Sequence, residues 1–140
     1  MHTDKVTVIG AGYMGSAITF PLIDAGFEVN LWGTWLDDKI IHFCRKGLHP
    51  KLKKPLPEAV KLWAHQELQS AIEGSKFIFL AVTSQGFMPV FLKILGCAVP
   101  RDACFLCLTK GLIEQENRVE RISAAAASIY RQKTKKNIAW

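Results

Sequence analysis

The chain has 140 residues, of which 49% are apolar and 21% charged, and its formal net charge is +6. This length and composition fit one globular domain and exclude a disordered chain. No apolar run reaches the ~18 residues needed to cross a bilayer, and no apolar signal segment follows the amino terminus. We therefore expect a cytoplasmic protein without a membrane span.

The positive charge is concentrated in two segments, residues 45–54 and 131–136. A basic balance suits an anionic ligand such as a pyrophosphate or a phosphorylated substrate. Nucleic acid is not expected as a partner, because no basic motif interleaved with aromatic residues is present. Most of these lysines are expected to lie on solvated surface.

The four cysteines and four histidines show no spacing typical of metal ligands or of a disulfide framework. Cys104 and Cys107 form a Cys-x-x-Cys pair, but they lie in an apolar run that predicts a buried strand. Residues three apart in a strand point to opposite faces, so we interpret both as ordinary buried thiols. We predict no metal site.

The first half of the chain alternates between strand and helix patterns. Pro21 lies inside the first helical pattern and predicts a kink or a helix end near Thr19, because proline removes a hydrogen bond at a cost of roughly 3 kcal/mol. The predicted elements are a strand at 5–9, a glycine turn at 10–15, a helix at 16–24, a strand at 27–32, a helix at 36–46 with Ile40, Ile41, Phe43 and Cys44 on one side, a loop at 47–57, a short strand at 60–63 and a short helix at 67–73.

The second half continues the alternation. Residues 77–82 are apolar throughout, as in a central parallel strand. The further predicted elements are a turn at 83–86, a helix from about 88 to 95, a strand at 104–108, a helix at about 117–132 with Val119, Ile122, Ala126 and Ile129 on one face, and the opening of another strand at 137–140. Together they predict an α/β fold with a doubly wound, mostly parallel sheet of Rossmann type and helices on both faces.

The turn between the first strand and the first helix has the sequence Gly-Ala-Gly-Tyr-Met-Gly. In this pattern Gly10 permits the tight turn, Gly12 lets the backbone approach a pyrophosphate, and Gly15 lets helix and strand pack closely. The helix amino terminus would then offer unpaired N–H groups to the phosphates. A glycine pattern of this kind is weak alone, but the strand before it and the helix after it predict a dinucleotide site.

The end of the second strand normally decides between NAD and NADP, since an acidic residue there binds the ribose 2′-hydroxyl. This chain has Gly-Thr-Trp at residues 33–35, with Asp37 and Asp38 a few residues late and no arginine in place of the acid. We therefore predict tolerance of both cofactors. A preference above about a hundredfold for either one would contradict that.

Polar residues follow two later strands at the edge where ligands bind in open α/β sheets. Ser84 and Gln85 come after the central strand, and Lys110 follows the fifth strand, before a glycine. An ammonium at this position would face the cleft and hold a phosphate or polarise a carbonyl. The alternative, a solvated loop lysine, stays equally open on spacing alone.

Several segments in order resemble the amino-terminal domain of NAD(P)-dependent glycerol-3-phosphate dehydrogenase. The resemblance covers nearly the whole chain, so it is far more specific than the glycine turn. The segments are Val-Ile-Gly-Ala-Gly-Tyr-Met-Gly-Ser-Ala at 8–17, Leu-Trp-Gly at 31–33, His-Pro at 49–50, Leu-Pro at 56–57, Leu-Ala-Val-Thr-Ser-Gln at 80–85 and Leu-Thr-Lys-Gly-Leu at 108–112.

The resemblance implies a nucleotide site containing Tyr13, Met14 and Thr34, with Lys110 between the cofactor and the substrate. Family members usually have proline where this chain has Thr83, which leaves the shape of that loop less defined. The turn motif, the strand ends and the resemblance together predict a set of NAD- or NADP-binding residues: Gly10, Ala11, Gly12, Tyr13, Met14, Gly15, Thr34, Val82, Ser84 and Lys110, of which Lys110 is also the predicted substrate-binding residue.

The resemblance also implies a reaction, hydride transfer between NAD(P)H and dihydroxyacetone phosphate or sn-glycerol 3-phosphate. Family members continue into a helical domain that supplies the proton-accepting lysine, so the catalytic residue is not identified within residues 1–140. We expect these residues to form the nucleotide-binding domain, as an isolated domain or a shortened gene product, and to be inactive alone. The face meant for the second domain would be exposed and would favour self-association, for example a homodimer.

Two other functions remain open at this stage. One is a stand-alone nucleotide-binding or regulatory module without turnover. The other is the cofactor domain of a β-hydroxyacid-type or ketopantoate-type reductase with the same fold. Thr-Lys-Gly at 109–111 and Leu-Trp-Gly at 31–33 argue against the second alternative, but fold analogy alone cannot separate the two families.

Overall fold

A computed structural model describes residues 3–140 of the chain. Strands and helices alternate over the first hundred residues, and a hairpin and a final helix follow. The strands are β1 Lys5–Ile9, β2 Glu28–Trp32, β3 Lys61–Trp63, β4 Phe77–Leu80, β5 Cys104–Cys107, β6 Leu112–Gln115 and β7 Arg118–Arg121. The helices are α1 Tyr13–Asp24, α2 Asp38–Arg45, α3 Leu68–Ile72 (after a 3₁₀ turn at His65–Glu67), α4 Ser84–Leu95 and α5 Ile122–Thr134.

The main sheet has five strands in the order β3-β2-β1-β4-β5, and every neighbouring pair is parallel. The chain winds outward from β1 through β2 to β3, then returns to the other side of β1 for β4 and β5. β1 is central: Val6 pairs with Val29 of β2 and with Phe77 of β4. The crevice for a ligand is therefore expected at the carboxyl ends of β1 and β4, where the winding direction reverses.

Helices cover both faces of this sheet and divide the core into two clusters. On one face, Val6 and Val8 of β1 pack with apolar residues of α1 and α2, including Leu22 and Ile41. On the other face, side chains of β4 and β5 pack with α3, α4 and α5, with Phe105 of β5 among them. The predicted doubly wound α/β fold is confirmed. No helix within residues 3–140 is long and apolar enough to cross a bilayer.

Of the two outcomes predicted from Pro21, a kink or a helix end near Thr19, the helix end is wrong. α1 starts at Tyr13, inside the glycine turn, and continues through Pro21 to Asp24. The helix tolerates Pro21 because the residue lies near its end, where Ala25 N–H donates to the Pro21 carbonyl at 2.9 Å. The loss of one hydrogen bond there does not stop the helix.

The second helix confirms most of the predicted apolar face. Ile40, Ile41 and Cys44 are buried, but Phe43 is 48% exposed. The reason is geometric: neighbouring helical residues are rotated by about 100°, which turns Phe43 away from the side that Cys44 buries.

The predicted helix at 117–132 is wrong in its first turn. β6 and β7 form an antiparallel hairpin, and α5 begins only at Ile122. Glu116 and Asn117 both have positive φ, 50° and 62°, which gives a tight two-residue turn and excludes a helix there. Val119 consequently lies on β7 and is 68% exposed, whereas the predicted core positions Ile122, Ala126 and Ile129 are buried.

Three smaller corrections concern the start of α4, the burial of two cysteines and the last four residues. α4 begins at Ser84, four residues before the expected start, because Thr83 Oγ1 accepts a hydrogen bond from Gly86 N–H at 3.2 Å and caps the helix. Cys104 and Cys107 are only half-buried and not buried as predicted, since β5 is an edge strand of the sheet. Residues 137–140 do not form a strand, although Phe105 N–H donates to the Ala139 carbonyl at 2.8 Å.

Candidate functional site

A cleft of about 360 Å³ opens where the segments that follow β1, β2 and β4 meet. This is the crevice that the strand order predicts for a ligand. Its lining is mainly backbone and apolar groups with a few polar side chains. Gly10 and Gly12, Thr34 and Asp37, Val82, and Lys51 from the loop after α2 are among the lining residues.

The glycine turn at the floor of the cleft has the geometry that the sequence predicts. Gly10 has φ +107°, and a Cβ added there would lie 2.6 Å from the Ala81 carbonyl oxygen. A Cβ on Gly15 would overlap the Gly10 carbonyl oxygen, so Gly15 is needed for close packing of α1 on the turn. A Cβ on Gly12, by contrast, would meet no atom within 4 Å. Gly12 therefore leaves open space at the cleft, as a closely approaching ligand requires.

The amino terminus of α1 is open to an anion. Gly12 is its N-cap residue, no side chain caps the helix, and its first turn contains no acidic residue. The first hydrogen bond of the helix runs from Ser16 N–H to the Gly12 carbonyl at 3.1 Å. The N–H groups before Ser16 are free of helical partners and carry the positive end of the helix dipole. Such a terminus binds phosphate groups.

Asp37 holds the segment after β2 against the glycine turn. Its Oδ2 accepts hydrogen bonds from Ala11 N–H at 3.2 Å, Thr34 N–H at 2.9 Å and Thr34 Oγ1 at 3.0 Å. Thr34 is only 7% exposed, and its hydroxyl also accepts from Leu36 N–H at 3.3 Å. Asp37 follows the end of β2 by more residues than the acidic residue usual in this fold, but the turn at Thr34 brings its carboxylate back to the glycine turn.

His49 holds a second segment against the same turn. Its imidazole is fully buried, and Nε2 lies 3.1 Å from the Ala11 carbonyl oxygen. Nδ1 accepts hydrogen bonds from Lys51 N–H at 3.2 Å and Leu52 N–H at 3.1 Å, so the ring proton must be on Nε2, which donates to Ala11. Sequence reasoning noted His49 only as part of the resemblance and missed this role.

The carboxyl ends of β4 and β5 are tied together at the far end of the cleft. Thr109 Oγ1 donates toward the carbonyls of Val82 at 2.8 Å and Leu80 at 3.2 Å. A Cβ on Gly111 would lie 3.8 Å from Ser84 Cβ, so the segment that carries Lys110 runs beside the start of α4. Lys110 itself is exposed, which leaves its ammonium accessible to a ligand.

The predicted nucleotide-binding residues fall into three groups. Gly10, Gly12, Thr34 and Val82 line the cleft, and Ala11 and Gly15 form the buried side of the turn. The remaining four lie outside the cleft lining: Tyr13 and Met14, which are 65% and 54% exposed at the start of α1, the half-buried Ser84, and Lys110.

A larger cavity of about 780 Å³ lies between the carboxyl-terminal part of α5 and residues 137–140. Arg131 and Lys135 contribute to its lining. It contains no glycine turn, and the helix end beside it presents carbonyl groups and not the free N–H groups that bind a pyrophosphate. Size alone therefore does not identify the nucleotide site, and the smaller cleft has the appropriate chemistry. Within residues 3–140, no group of three potential metal ligands is present.

The strand order, the glycine turn and the open helix terminus define a dinucleotide-binding domain of Rossmann type. Residues 5–139 match the family described as NAD-dependent glycerol-3-phosphate dehydrogenase N-terminus. The chain belongs to that family.

Individual relatives agree with the family match. The chain is 35% identical over 121 residues to the NADP(+)-dependent glycerol-3-phosphate dehydrogenase of Archaeoglobus fulgidus, and this covers 86% of the chain and 35% of that enzyme. It is 37% identical over 125 residues to the glycerol-3-phosphate dehydrogenase [NAD(P)+] of an Exiguobacterium species, covering 88% of the chain and 35% of the relative. The chain thus spans about a third of the length of these relatives.

A solved structure supports the same fold. The glycerol-3-phosphate dehydrogenase of Plasmodium falciparum superimposes with a TM-score of 0.76 at 23% identity. The match covers 90% of the chain and 38% of the Plasmodium protein. At this level of identity the superposition shows a shared fold alone.

Proposed function

We propose that this chain is the nucleotide-binding part of a glycerol-3-phosphate dehydrogenase, which transfers a hydride between NAD(P)H and dihydroxyacetone phosphate or sn-glycerol 3-phosphate. One observation carries the proposal: the open space at Gly12 lies directly before an uncapped helix terminus. The open space lets a pyrophosphate approach the backbone, and the free N–H groups of the helix terminus can then bind it. The family match supports glycerol 3-phosphate as the substrate class.

Each part of the cleft is then proposed to bind one part of the dinucleotide. The first turn of α1 binds the pyrophosphate through backbone N–H groups, while Thr34 and the segment fixed by Asp37 border the adenosine ribose at the end of β2. Val82 in the cleft, and Ser84 just outside its lining, border the nicotinamide after the end of β4. The bound nucleotide supplies or accepts the hydride, and the protein orients it.

Lys110 is proposed to act at the junction of cofactor and substrate. Thr109 is hydrogen-bonded to the carbonyl of Val82 after β4, and Gly111 lies near Ser84, so Lys110 is carried beside the nicotinamide end of the cleft. An exposed ammonium there can hold a substrate phosphate or polarise the carbonyl that receives the hydride. The proton acceptor is proposed to be a lysine outside these 140 residues.

The test is a calorimetric titration of the 140-residue chain with NADH and with NADPH. Micromolar binding of at least one nucleotide, weakened at least tenfold by Gly12→Ala, is expected, because the added methyl would occupy the space that the pyrophosphate needs. Nucleotide oxidation with dihydroxyacetone phosphate is expected to be undetectable for this chain. Absence of binding would refute the proposed site, and clear turnover would refute the external proton acceptor.

A cytoplasmic location and a homodimer belong to the same proposal. The four cysteines are unpaired, which is typical of a reducing compartment. Leu112 and Val119 expose 61% and 68% of their surface on the hairpin and offer an apolar contact to a second copy. Sedimentation equilibrium tests the dimer: Val119→Lys is expected to shift the chain toward monomer, and a monomeric wild-type chain would contradict the proposal.

A further inference from the structure

The hydrogen-bond ladder between β4 and β5 passes from backbone to side chain at Thr109. Leu108 N–H donates to the Leu80 carbonyl at 2.9 Å, one residue beyond the end of β5. Bonds in a parallel ladder recur every second residue, so the next bond would join Lys110 N–H to the Val82 carbonyl. The Thr109 hydroxyl donates to that carbonyl instead, at 2.8 Å. A side chain therefore ends the pairing of the two segments directly before Lys110.

The Thr109 hydroxyl has one proton and two carbonyl oxygens within reach. The Leu80 carbonyl lies farther away, at 3.2 Å, and already accepts from Leu108 N–H. The bond to the Val82 carbonyl is shorter and is the main one. Val82 also lines the nucleotide cleft. The hydroxyl thus joins the segment that carries Lys110 to a wall of the cleft.

The backbone of Thr109 is held from its own strand as well. Cys107 Sγ donates to the Thr109 carbonyl at 3.5 Å. Burial raises the pKa of the Cys107 thiol above its ordinary value of 9.0, so at neutral pH the thiol has the proton that it donates. After Lys110, Gly111 has φ +116° and turns the chain toward β6. Lys110 is therefore an exposed residue between a threonine held through two groups and a glycine turn.

We propose that Thr109 is a positioning residue, whose hydroxyl fixes the point where the chain leaves the sheet and thereby holds the Lys110 ammonium at the nicotinamide end of the cleft. This inference rests on the proposed nucleotide-binding function and adds to it a residue that acts through Lys110. The carboxamide oxygen of the nicotinamide is the acceptor that the ammonium meets there. Without the hydroxyl, the chain is free to leave the sheet at Leu108, which moves the ammonium away from the ring.

The experiment is a set of calorimetric titrations of the 140-residue chain with NADH and with ADP-ribose, which lacks the nicotinamide ring. Thr109→Val removes the hydroxyl but retains the shape of the side chain, and Thr109→Ser retains the hydroxyl. Lys110→Ala and the double variant of Thr109→Val with Lys110→Ala complete a double-mutant cycle. Melting curves establish that each variant is folded at the temperature of the titration.

The matched control is Thr134→Val. The Thr134 hydroxyl also donates to a backbone carbonyl, that of Tyr130 at 2.7 Å, but it lies in α5 and does not line the cleft. The control therefore loses the same kind of hydrogen bond at a distance from the nucleotide. Thr134→Val and Thr109→Ser are both expected to bind NADH and ADP-ribose with wild-type affinity.

Lys110→Ala is expected to weaken NADH binding about tenfold and Thr109→Val about fivefold, because each loses one hydrogen bond to the ring or its proper placement. ADP-ribose affinity is expected to change by less than about twofold in both variants, because the glycine turn is unaltered. The double variant is expected to bind NADH as Lys110→Ala does, because Thr109 has no effect once the ammonium is absent.

Three results would overturn the inference and leave the proposed function intact, provided that the wild-type chain binds NADH. The first is unchanged NADH binding in Thr109→Val or in Lys110→Ala. The second is an equal loss of ADP-ribose and NADH affinity in Thr109→Val, and the third is a further fivefold loss of NADH affinity when Thr109→Val is added to Lys110→Ala. Binding of neither NADH nor ADP-ribose to the wild-type chain would overturn both the inference and the proposed function.

Discussion

The imidazole of His49 donates a hydrogen bond to the carbonyl oxygen of Ala11, at 3.1 Å and 38 positions away in sequence. Ala11 is the second residue of the glycine turn, and Asp37 accepts from its N–H. Two separate segments are thus fastened to one residue of the turn. The cleft keeps its shape because these segments cannot move independently of the turn.

Removal of the His49 side chain is expected to weaken both stability and nucleotide binding. His49→Ala removes one donor from the Ala11 carbonyl, leaves two partly buried loop N–H groups without their acceptor and opens a cavity at a buried side chain, a loss of about 2–3 kcal/mol. His42→Ala is the control, since His42 is exposed on α2. Urea unfolding measures the difference, and equal stability of the two variants would contradict the role given to His49.

Two glycine substitutions in the same turn are expected to differ strongly in their effect on stability. Gly15→Ala places a methyl against the Gly10 carbonyl oxygen and is expected to cost several kcal/mol of stability. Gly12→Ala meets no atom and is expected to change stability by less than about 1 kcal/mol. Thermal unfolding of both variants tests this contrast. A Gly12→Ala variant as unstable as Gly15→Ala would show that Gly12 is needed for folding and not for a ligand.

Asp37 and Asp38 are adjacent in sequence, but Asp37 holds two loops together whereas Asp38 forms a surface pair. Asp37→Ala removes the acceptor of three hydrogen bonds and is expected to cost about 2 kcal/mol, with looser nucleotide binding. Asp38, whose side chain is 52% exposed, pairs with His65 at 2.8 Å on the surface, and Asp38→Ala is expected to cost less than about 1 kcal/mol. Denaturant titrations of the two variants compare them, and the reverse order would refute the structural role of Asp37.

The hairpin turn can be improved by residues suited to positive φ. Glu116 and Asn117 have φ of 50° and 62°, so the pair Glu116→Asn with Asn117→Gly is expected to raise stability by about 1 kcal/mol. The control is Gln132→Gly, within α5, which is expected to lower stability by about 1 kcal/mol. If these residues instead began a helix, the Asn-Gly pair would destabilise the chain, which differential scanning calorimetry would detect.

Alkaline pH is expected to destabilise the chain partly through Cys44. Burial raises the pKa of the Cys44 thiol from its ordinary value of 9.0 to about 11. Between pH 9 and 11 the thiol therefore stays protonated in the folded state but ionises in the unfolded state. Its contribution to the free energy of unfolding is complete below pH 9 and is lost as the pH rises from 9 to 11. Cys44→Ala is expected to reduce the fall in unfolding free energy over this range. An identical pH profile for both proteins would contradict the effect.

The sequence predicts the sheet well because its strands are nearly continuous apolar runs bounded by glycine or polar residues. β1 through β5 all lie within two residues of their predicted limits. The hairpin β6–β7 was missed, because Val119 and the buried residues of α5 continue one helical spacing without a break. The interruption depends on the backbone angles of Glu116 and Asn117, and neither residue requires positive φ by its type alone.

The site was predictable where it depends on local backbone geometry. The backbone geometry at Gly10, Gly12 and Gly15 follows from a strand, a turn and a helix in sequence, and the structure has that geometry, while their contact with a nucleotide stays a prediction. The contacts of Asp37 and His49 with Ala11 span 26 and 38 positions, and no local pattern encodes such distances. Thr-x-x-Asp at 34–37 and the buried His49 were visible signals, but only the folded loops give them their partners.

The most direct test of the nucleotide cleft is an NMR titration of the ¹⁵N-labelled chain with NADH. We expect saturable shifts of the amides of Gly10, Gly12, Thr34 and Val82, which line the cleft. The amides of Arg131 and Lys135, in the larger cavity beside α5, are expected to stay unchanged. Saturable shifts confined to that larger cavity, or no saturable shift anywhere, would contradict a dinucleotide site at the glycine turn.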